Sequence, residues 1–583
     1  MAIEALPIFC YYDKQRFIQF GAMDCANWYG VSVESGKKQQ ALYPAMGRKH
    51  INFLNQNRLI FNAEPRAIFK TINFFYVIDG NQVFQVDRFY NQKVIGSVSL
   101  GTNLWFDFIT VENLVYAFLT DERHIFLITE TGALVTMAAV TDGNAPTKPV
   151  YVAAFGNRFA VSQKDEPIFT LTTINLVGGT SGCFTSGLPV APLFAQASGI
   201  IRQMGVLHNQ LYIFNDFTTD IWSNIATQIS VGAGLSEFPW KLSTSYNFDY
   251  GIADPFSLDI SFGRMAWLGN NSDGLVSFMS SNGQQPEDIS SQAINVLLEN
   301  SSIPEGVSPF IINTANGFLY QYENTIFYRV SAGAFLDFGT LDLSQSANAI
   351  EYNFETGTWG RVIELNGERN RIQKHIYFNN KHLVTVLDDP VIYEMAGNIY
   401  HNELRNTEQT DAQAADAFSK YPMRYELVTK QLFLPDYAEF VEDYVEIDFV
   451  FGDNTFYQSC APFLNTTFIV SEDSTPEVPV YILSEDDKYL IQEGTNTPTF
   501  DDNHYCALFK PHIELYYSDD GGITFTSADL REFSPLGEYR WRMRWYQLGP
   551  SRNRCYKLIC VSSAPIVILG GVRNTHRSSG GAN

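Results

Sequence analysis

The sequence predicts an all-β protein organised as a β-propeller of about six blades. The 583 residues include 14% aromatic side chains and 41 glycines, a composition typical of strands joined by tight turns. Hairpin-like units also recur along the chain, and their comparable positions lie 41 to 54 residues apart: Phe75, Tyr116, Phe159, Leu211, Met265 and Phe318. Units of this length built from several short strands are typical of propeller blades. A set of stacked β-sandwich domains would give a similar pattern and is the alternative.

The hairpin units follow in order, each with alternating apolar and polar residues around a turn. They cover residues 74–87, 114–137, 158–174, 210–224, 264–283 and 318–330, with further units around 349–365 and 375–398. Two segments break the pattern. Residues 289–300 carry Ile294, Leu297 and Leu298 at helical spacing, which predicts a short helix. Residues 402–420, rich in Ala, Gln and Asp, predict either an exposed helix or a mobile loop.

These observations divide the chain into five parts. We expect an extended lead-in at 1–26, a propeller body at 27–452 and an acidic insertion at 453–506. A β segment at 507–572 would complete the body, and 573–583 would form a flexible tail.

The charge distribution changes sharply near the C-terminal end. Residues 436–502 contain sixteen acidic residues and the single base Lys488, whereas bases dominate from Arg531 onward. Such neighbours predict mutual attraction within or between subunits, and a solvated acidic face is the alternative. The candidate acidic channel or interface residues are Glu472, Asp473, Glu477, Glu485, Asp486 and Asp487.

One turn in the C-terminal segment has a recognisable pattern. Its residues match the Asp-box arrangement of a serine, an aspartate, a glycine, a threonine and an aromatic: Ser518, Asp520, Gly522, Thr524 and Phe525. The polar side chains can bond nearby backbone amides, and glycine tolerates a left-handed φ. Asp boxes occur on turns of sialidases and other propellers, away from the catalytic centre, so the motif predicts an architectural hairpin turn.

A strand rich in arginine follows that turn. Arg540, Arg542 and Arg544 alternate with Trp541, Met543 and Trp545, and a strand sends alternate side chains to opposite faces. Three guanidinium groups therefore share one face and the apolar side chains share the other. The charged face could meet phosphates, protein carboxylates or water. Because the chain is acidic, we expect pairing with carboxylates of a neighbouring blade or subunit.

Composition and motifs argue against several classes of function. The formal net charge of −24 is opposite to that of proteins that adhere to nucleic acid or anionic membranes. The sequence lacks the common nucleophile, zinc-protease and phosphate-loop motifs, so we expect no catalytic residue, metal or cofactor. It shows no signal peptide and no apolar run long enough for a membrane span. Seven dispersed cysteines suggest reduced thiols in a cytoplasmically folded protein.

Four blocks together resemble the packaged-DNA stabilisation, or tail hub and nozzle, proteins of short-tailed bacteriophages. The first begins at Asn27-Trp28-Tyr29 and continues through ALYPAMGRKHINFL and AEPRAIFKTINFFYVIDGNQVFQVD. The second contains DIWSN, EFPWKL and YGIADPFSLDISFGRMAWLGNNSDG, and the third is QPEDISSQAINVLLEN. The fourth runs from PHIELYYSDDGGITF to LGEYRWRMRWYQLGPSRNRCYKLICV. The departures are the long segment 453–506 and Pro44-Ala45-Met46-Gly47 in place of a Pro-Gly turn.

The resemblance implies a structural protein of the virion tail, synthesised in the host cytoplasm. It would form a ring, commonly a hexamer, below the portal and its adaptor, and would adjoin tail fibre, spike or needle proteins. The ring would continue the DNA channel, retain the packaged genome and conduct double-stranded DNA without reading its sequence. Six copies at −24 each carry −144, which would repel phosphates if carboxylates face the channel. A glycan-binding or sialidase-like propeller is the alternative.

Overall fold

Strands dominate the computed structural model. It describes residues 2–14, 22–32, 40–51, 59–176, 178–184, 194–224, 240–242, 247–298, 315–332, 348–367, 370–405, 418–434, 436–451, 512–532 and 540–577. The N-terminal strands are β1 (Ala2–Leu6), β2 (Asp13–Lys14), β3 (Ala22–Ala26), β4 (Trp28–Ser32), β5 (Gln40–Pro44) and β6 (Gly47–His50). Within these ranges the helices are α1 (Gly179–Gly182), α2 (Gln292–Leu298) and two 3-10 turns, Ile174–Leu176 and Pro255–Ser257. Helix α2 confirms the helix predicted for 289–300.

In the described part of the chain, seven antiparallel units of four or five strands follow one another. Blade 1 is β7 (Ala67–Lys70), β8 (Phe75–Asp79), β9 (Gln82–Val86) and β10 (Gln92–Ser97). Blade 2 is β11 (Trp105–Val111), β12 (Leu114–Thr120), β13 (Ile125–Thr131) and β14 (Leu134–Ala139). Blade 3 is β15 (Pro149–Phe155), β16 (Arg158–Gln163), β17 (Ile168–Leu171) and β18 (Phe194–Gln196). Blade 4 is β19 (Gln203–Leu207), β20 (Gln210–Phe214), β21 (Thr219–Asn224) and β22 (Trp240–Leu242).

The remaining blades continue the series. Blade 5 is β23 (Gly251–Ile252), β24 (Asp259–Ser261), β25 (Arg264–Asn270), β26 (Val276–Ser281) and β27 (Glu287–Asp288). Blade 6 is β28 (Asn316–Tyr322), β29 (Thr325–Ala332), β30 (Asn348–Asn353) and β31 (Thr358–Arg361). Blade 7 combines β32 (Ile372–Phe378), β33 (Lys381–Val386) and β34 (Ile392–Ala396) with the N-terminal strand β6.

The blades form a closed ring, because each pair of consecutive blades encloses its own hydrophobic cluster. Seven clusters fill the seven gaps in order, including the gap between blade 7 and blade 1. In that last gap Phe75 and Val77 of blade 1 pack with Ile376 and Leu383 of blade 7. The predicted all-β propeller class is therefore confirmed.

The blade number differs from the predicted value of about six. The seventh blade lies in the unit around 375–398, and β6 supplies its outer strand through the pairing of His50 with Tyr393. The six comparable positions end at Phe318 and do not include this unit, whose fourth strand comes from a distant part of the chain.

A β-sandwich built from both chain ends packs beside the propeller. Its further strands are β35 (His401–Arg405), β36 (Phe418–Val428), β37 (Phe440–Phe451), β38 (His512–Ser518), β39 (Thr526–Glu532), β40 (Arg540–Ser551), β41 (Cys555–Ser562) and β42 (Ile566–Arg577). One sheet runs β4-β5-β42-β37-β40, with β1 beside β42. The facing layer contains β3, β36, β41, β38 and β39. Between the layers lies a single core that includes Val445, Phe449, Trp545, Leu558 and Ile568.

This sandwich changes the expected domain boundaries. Strands β36 and β37 were expected to belong to the body at 27–452, but they pair with β41, β40 and β42 instead of a blade. The lead-in 1–26 supplies β1, β2 and β3. The tail expected at 573–583 is wrong for 573–577, where β42 continues and Arg573 is only 5% exposed.

The structure also bears on the cysteines and on the two segments for which no blade was expected. Cys10 and Cys25 form a disulfide, so the expectation of reduced thiols throughout is wrong for this pair, whose fifteen-residue spacing carries no pairing signal. In the segment 402–420 the ends belong to strands β35 and β36, and 406–417 lies outside the described residues. The acidic insertion 453–506 also lies outside them.

Candidate functional site: the arginine strand and the adjoining turn

Strand β40 presents its two faces as the alternation predicts. The side chains of Arg540, Arg542 and Arg544 are 59%, 61% and 43% exposed. Met543 and Trp545 are buried in the sandwich core, and Trp541 packs against that core. β40 ends its sheet in the described part of the chain, because β37 is its one sheet neighbour there.

The arginines pair with carboxylates of the adjacent strand in the same chain. The register places Arg544 opposite Glu446 and Arg542 opposite Asp448. Arg540 donates to both Asp448 oxygens at 3.1 and 2.7 Å, and Arg544 donates from Nε to Glu446 Oε2 at 2.8 Å. These hydrogen bonds raise the pKa of Arg540 and of Arg544, so the guanidinium groups stay charged.

The three arginines of this face, Arg540, Arg542 and Arg544, are called the ladder below. Arg542 has the longest distances to the carboxylates. It lies between the two carboxylates, with Nη1 3.8 Å from Glu446 and Nε 4.0 Å from Asp448. Those separations exceed good hydrogen-bond lengths, so its donors remain available to a further acceptor. Three arginines against two carboxylates leave this face with one net positive charge in a strongly acidic chain.

The Asp-box turn is closed by its own polar side chains. Asp520 accepts hydrogen bonds from the backbone N–H groups of Ile523 and Thr524 at 3.0 Å, and from the Thr524 hydroxyl at 2.6 Å. Although desolvation acts in the opposite direction, the hydrogen bonds from Ser518 and Thr524 lower the pKa of Asp520 to about 2. Gly522 has φ of +99°, a conformation that disfavours side chains. The polar side chains of the turn thus bond within the turn itself. The centroid of the Phe525 ring lies 6.0 Å from Lys557 Nζ.

A buried ion network ties this turn to the sheet. Arg554, which is fully buried, donates to Asp519 at 2.8 Å and to Glu442 at 3.1 Å. Arg573 joins Glu442 at 3.3 Å and Glu4 at 2.6 Å. Burial raises the pKa of Glu442 while both arginines oppose that rise. The network connects β1, β37, β42 and the turn, and charge counts along the sequence did not identify it.

Aromatic side chains meet across the propeller axis. Trp105 of blade 2 stacks on Phe256, which precedes β24 of blade 5, with ring centroids 4.6 Å apart. Tyr151 of blade 3 lies 4.9 Å from Trp105. Blades 2 and 5 are not neighbours in the ring, so this contact spans the axis. Sequence spacing gave no signal for it, since the partners are 151 residues apart.

The other predicted features are absent from this site or lie elsewhere. The candidate acidic residues Glu472, Asp473, Glu477, Glu485, Asp486 and Asp487 are outside the described residues. Within the described ranges, no group of three or more His, Cys, Asp or Glu residues is placed to hold a metal ion. None of the helices in those ranges is both long and apolar enough to traverse a bilayer.

No family model and no curated protein matches the chain. Among solved structures it is similar to a streptogramin B lyase, with 8% identity, 60% of this chain and 97% of that chain covered, and a TM-score of 0.32. It is also similar to the Neurospora crassa Pan2 WD40 domain (7% identity, 57% and 89% covered, TM-score 0.32). A third is YCF48 bound to D1 peptide (9%, 63% and 97%, TM-score 0.33). Similarities this remote indicate no activity.

Proposed function

We propose that this chain is a structural nozzle or hub protein of a short-tailed bacteriophage. In this proposal it forms a ring below the portal and its adaptor, continues the DNA channel, retains the packaged genome and conducts it during ejection. The order of the four sequence blocks supports the proposal. Catalysis is not part of this role.

The observation that carries the proposal is the pairing of the arginine face. A surface built to hold DNA would leave its guanidinium groups available to phosphates, whose neutralisation dominates such binding. Here Glu446 and Asp448 engage Arg540 and Arg544. The face therefore suits contact with another protein surface better than adhesion to a moving duplex.

The aromatic contact across the propeller axis supports a channel between subunits. Trp105 and Phe256 stack across the propeller axis, so a duplex would not pass through an individual propeller. In a ring of copies, the passage would lie at the ring centre. The formal charge of −24 per copy suits a passage that does not retain phosphate.

Native mass spectrometry with negative-stain imaging of the purified full chain tests the proposal. We expect a closed ring, with a mass of six chains and a central opening, and no retention of duplex DNA at physiological salt. A chain that stays monomeric at micromolar concentration, including in the presence of portal and adaptor proteins, would contradict it. Hydrolysis of a sialoside by the isolated chain would favour the glycan-directed alternative.

A further inference from the structure

The N-terminal arm, residues 2–14, crosses from the sandwich to the propeller. Leu6, Ile8 and Cys10 belong to the sandwich core. Two residues further on, Tyr12 enters the cluster between blades 5 and 6, and its N–H donates to the Trp359 carbonyl at 2.9 Å. The arm therefore contributes side chains to both bodies.

Strand β3 lies on the seam between those bodies. It pairs antiparallel with β36 of the sandwich, Cys25 opposite Leu427, and parallel with β31 of blade 6 through Ala26 and Arg361. Asp24 accepts two hydrogen bonds from Arg361 at 2.7 and 2.6 Å. Anything bonded to β3 is thus fixed to propeller and sandwich together.

We propose that Cys10 and Cys25 form a redox-controlled latch that fastens the N-terminal arm across this seam. The disulfide joins them, and both side chains are buried, Cys10 at 5% and Cys25 at 0% exposure. Thiols stay reduced in a cytoplasm and form disulfides in an oxidising environment. The arm is therefore held by noncovalent contacts alone during synthesis and also by a covalent bond after oxidation. This inference goes beyond the proposed function and does not depend on ring formation.

The chemistry is thiol–disulfide exchange with a small-molecule disulfide such as oxidised glutathione. One cysteine thiolate attacks the glutathione disulfide, which releases one reduced glutathione and leaves a mixed disulfide. The second thiolate then displaces the other glutathione and closes the Cys10–Cys25 bond. Two protein thiols and one oxidised glutathione give one protein disulfide and two reduced glutathiones. Because both cysteines are buried, we expect exchange while the arm is lifted from the seam.

The covalent link can be measured directly in the full-length protein. A specific protease site is inserted between residues 14 and 22, and the protein is purified in reductant and then treated with oxidised glutathione. After cleavage we expect the arm to remain attached in denaturing, non-reducing mass spectra and to separate on reduction. Cys25→Ser should release the arm under both conditions. Cys183→Ser, the control, removes a free cysteine between blades 2 and 3. In this variant the arm should remain attached after oxidation, as in the wild type.

Thermal unfolding shows whether the disulfide stabilises the protein or only joins the two cysteines. Oxidised wild-type protein should unfold at a midpoint roughly 5 °C above that of the reduced form, because closing a loop of this length restricts the unfolded chain. This comparison needs no variant, so a misfolded Cys25→Ser protein does not affect it. Release of the arm from oxidised protein without reductant, mapping of Cys10 to another cysteine, or equal midpoints would each overturn the proposal.

Discussion

At the residue scale, the sandwich uses similar ion pairs in two different environments. Arg554 and Glu442 are 0% and 1% exposed, whereas the Arg544 side chain is 43% exposed. Removing one partner of a buried pair leaves an uncompensated charge in a poorly solvated site. Breaking an exposed pair costs little stability, because water and salt screen the two charges. The two arginines should therefore differ greatly in their contribution to stability.

We expect Arg554→Met to lower the free energy of unfolding by about 3 kcal/mol, because Glu442 loses its closest guanidinium. Arg544→Met, the matched control on the exposed face, should cost under about 1 kcal/mol. Denaturant titration followed by tryptophan fluorescence measures both. Adding Glu442→Gln to Arg554→Met should recover part of the loss, since the buried carboxylate would otherwise keep its charge with Arg573 as its remaining guanidinium partner. Equal effects of the two single substitutions would refute this account.

Asp254 contributes to the free energy of unfolding by an amount that depends on pH, and the sign of that dependence follows from its raised pKa. The side chain is 2% exposed and accepts N–H bonds from Phe256 at 2.8 Å and Ala315 at 3.1 Å. Burial raises its pKa from 3.8 to about 6. Because the folded pKa lies above the unfolded one, the contribution is complete below pH 3.8 and is lost as pH rises through about 6.

Relative to Asp254→Asn, the wild type should lose about 3 kcal/mol of stability between pH 3.8 and pH 7. Denaturant titrations of both proteins across this pH range measure the difference. The contributions of all other carboxylates are common to both proteins and cancel in it. A wild-type minus Asp254→Asn difference that does not change with pH would contradict the prediction.

At the element scale, local patterns predict strands but not their distant partners. The hairpin of β8 and β9 follows from residues 74–87 alone, with Asp79-Gly80 at its turn. The arginine face of β40 follows equally from alternation. By contrast, β6 joins β34 across more than 300 residues, and β40 meets Glu446 and Asp448 through the register with β37. Such pairings depend on how whole units pack, so a single sequence does not reveal them.

The closing strand β6 offers a direct test of propeller closure. A Cβ atom added at Gly47 would lie 2.4 Å from the His401 carbonyl oxygen and 2.6 Å from that of Ile399. We expect Gly47→Val to displace β6 from β35, expose the edge of blade 7 and lower the unfolding midpoint by several degrees. Limited proteolysis and thermal unfolding measure this. Gly143→Ala, where no atom lies within 4 Å of the added Cβ, should leave both unchanged.

At the scale of the whole molecule, net charge opposes association, and local charge must direct it. Copies carrying −24 repel one another, so contact is favoured where positive groups gather. The ladder is such a place, with Arg542 61% exposed and held only at long distances. Under the proposed function this face meets carboxylates of a neighbouring copy.

Arg542→Glu combined with Arg544→Glu should weaken ring assembly more than any contact with DNA. The matched control is Arg88→Glu with Lys93→Glu, which makes the same charge change on exposed residues of blade 1. Sedimentation velocity should show smaller species for the first protein and rings for the second. Normal rings from the ladder variant would exclude an assembly role for the ladder.

Pairing between N-terminal and C-terminal strands also determines when the molecule can finish folding during synthesis on the ribosome. His50 pairs with Tyr393, about 340 residues later, and β1 pairs with β42 at the other end of the chain. At roughly 5 to 20 residues per second, β6 waits roughly 20 to 70 s for its partner. Strand β37 is likewise made before the β40 and β42 that flank it. The arginine face thus arises only on nearly completed chains.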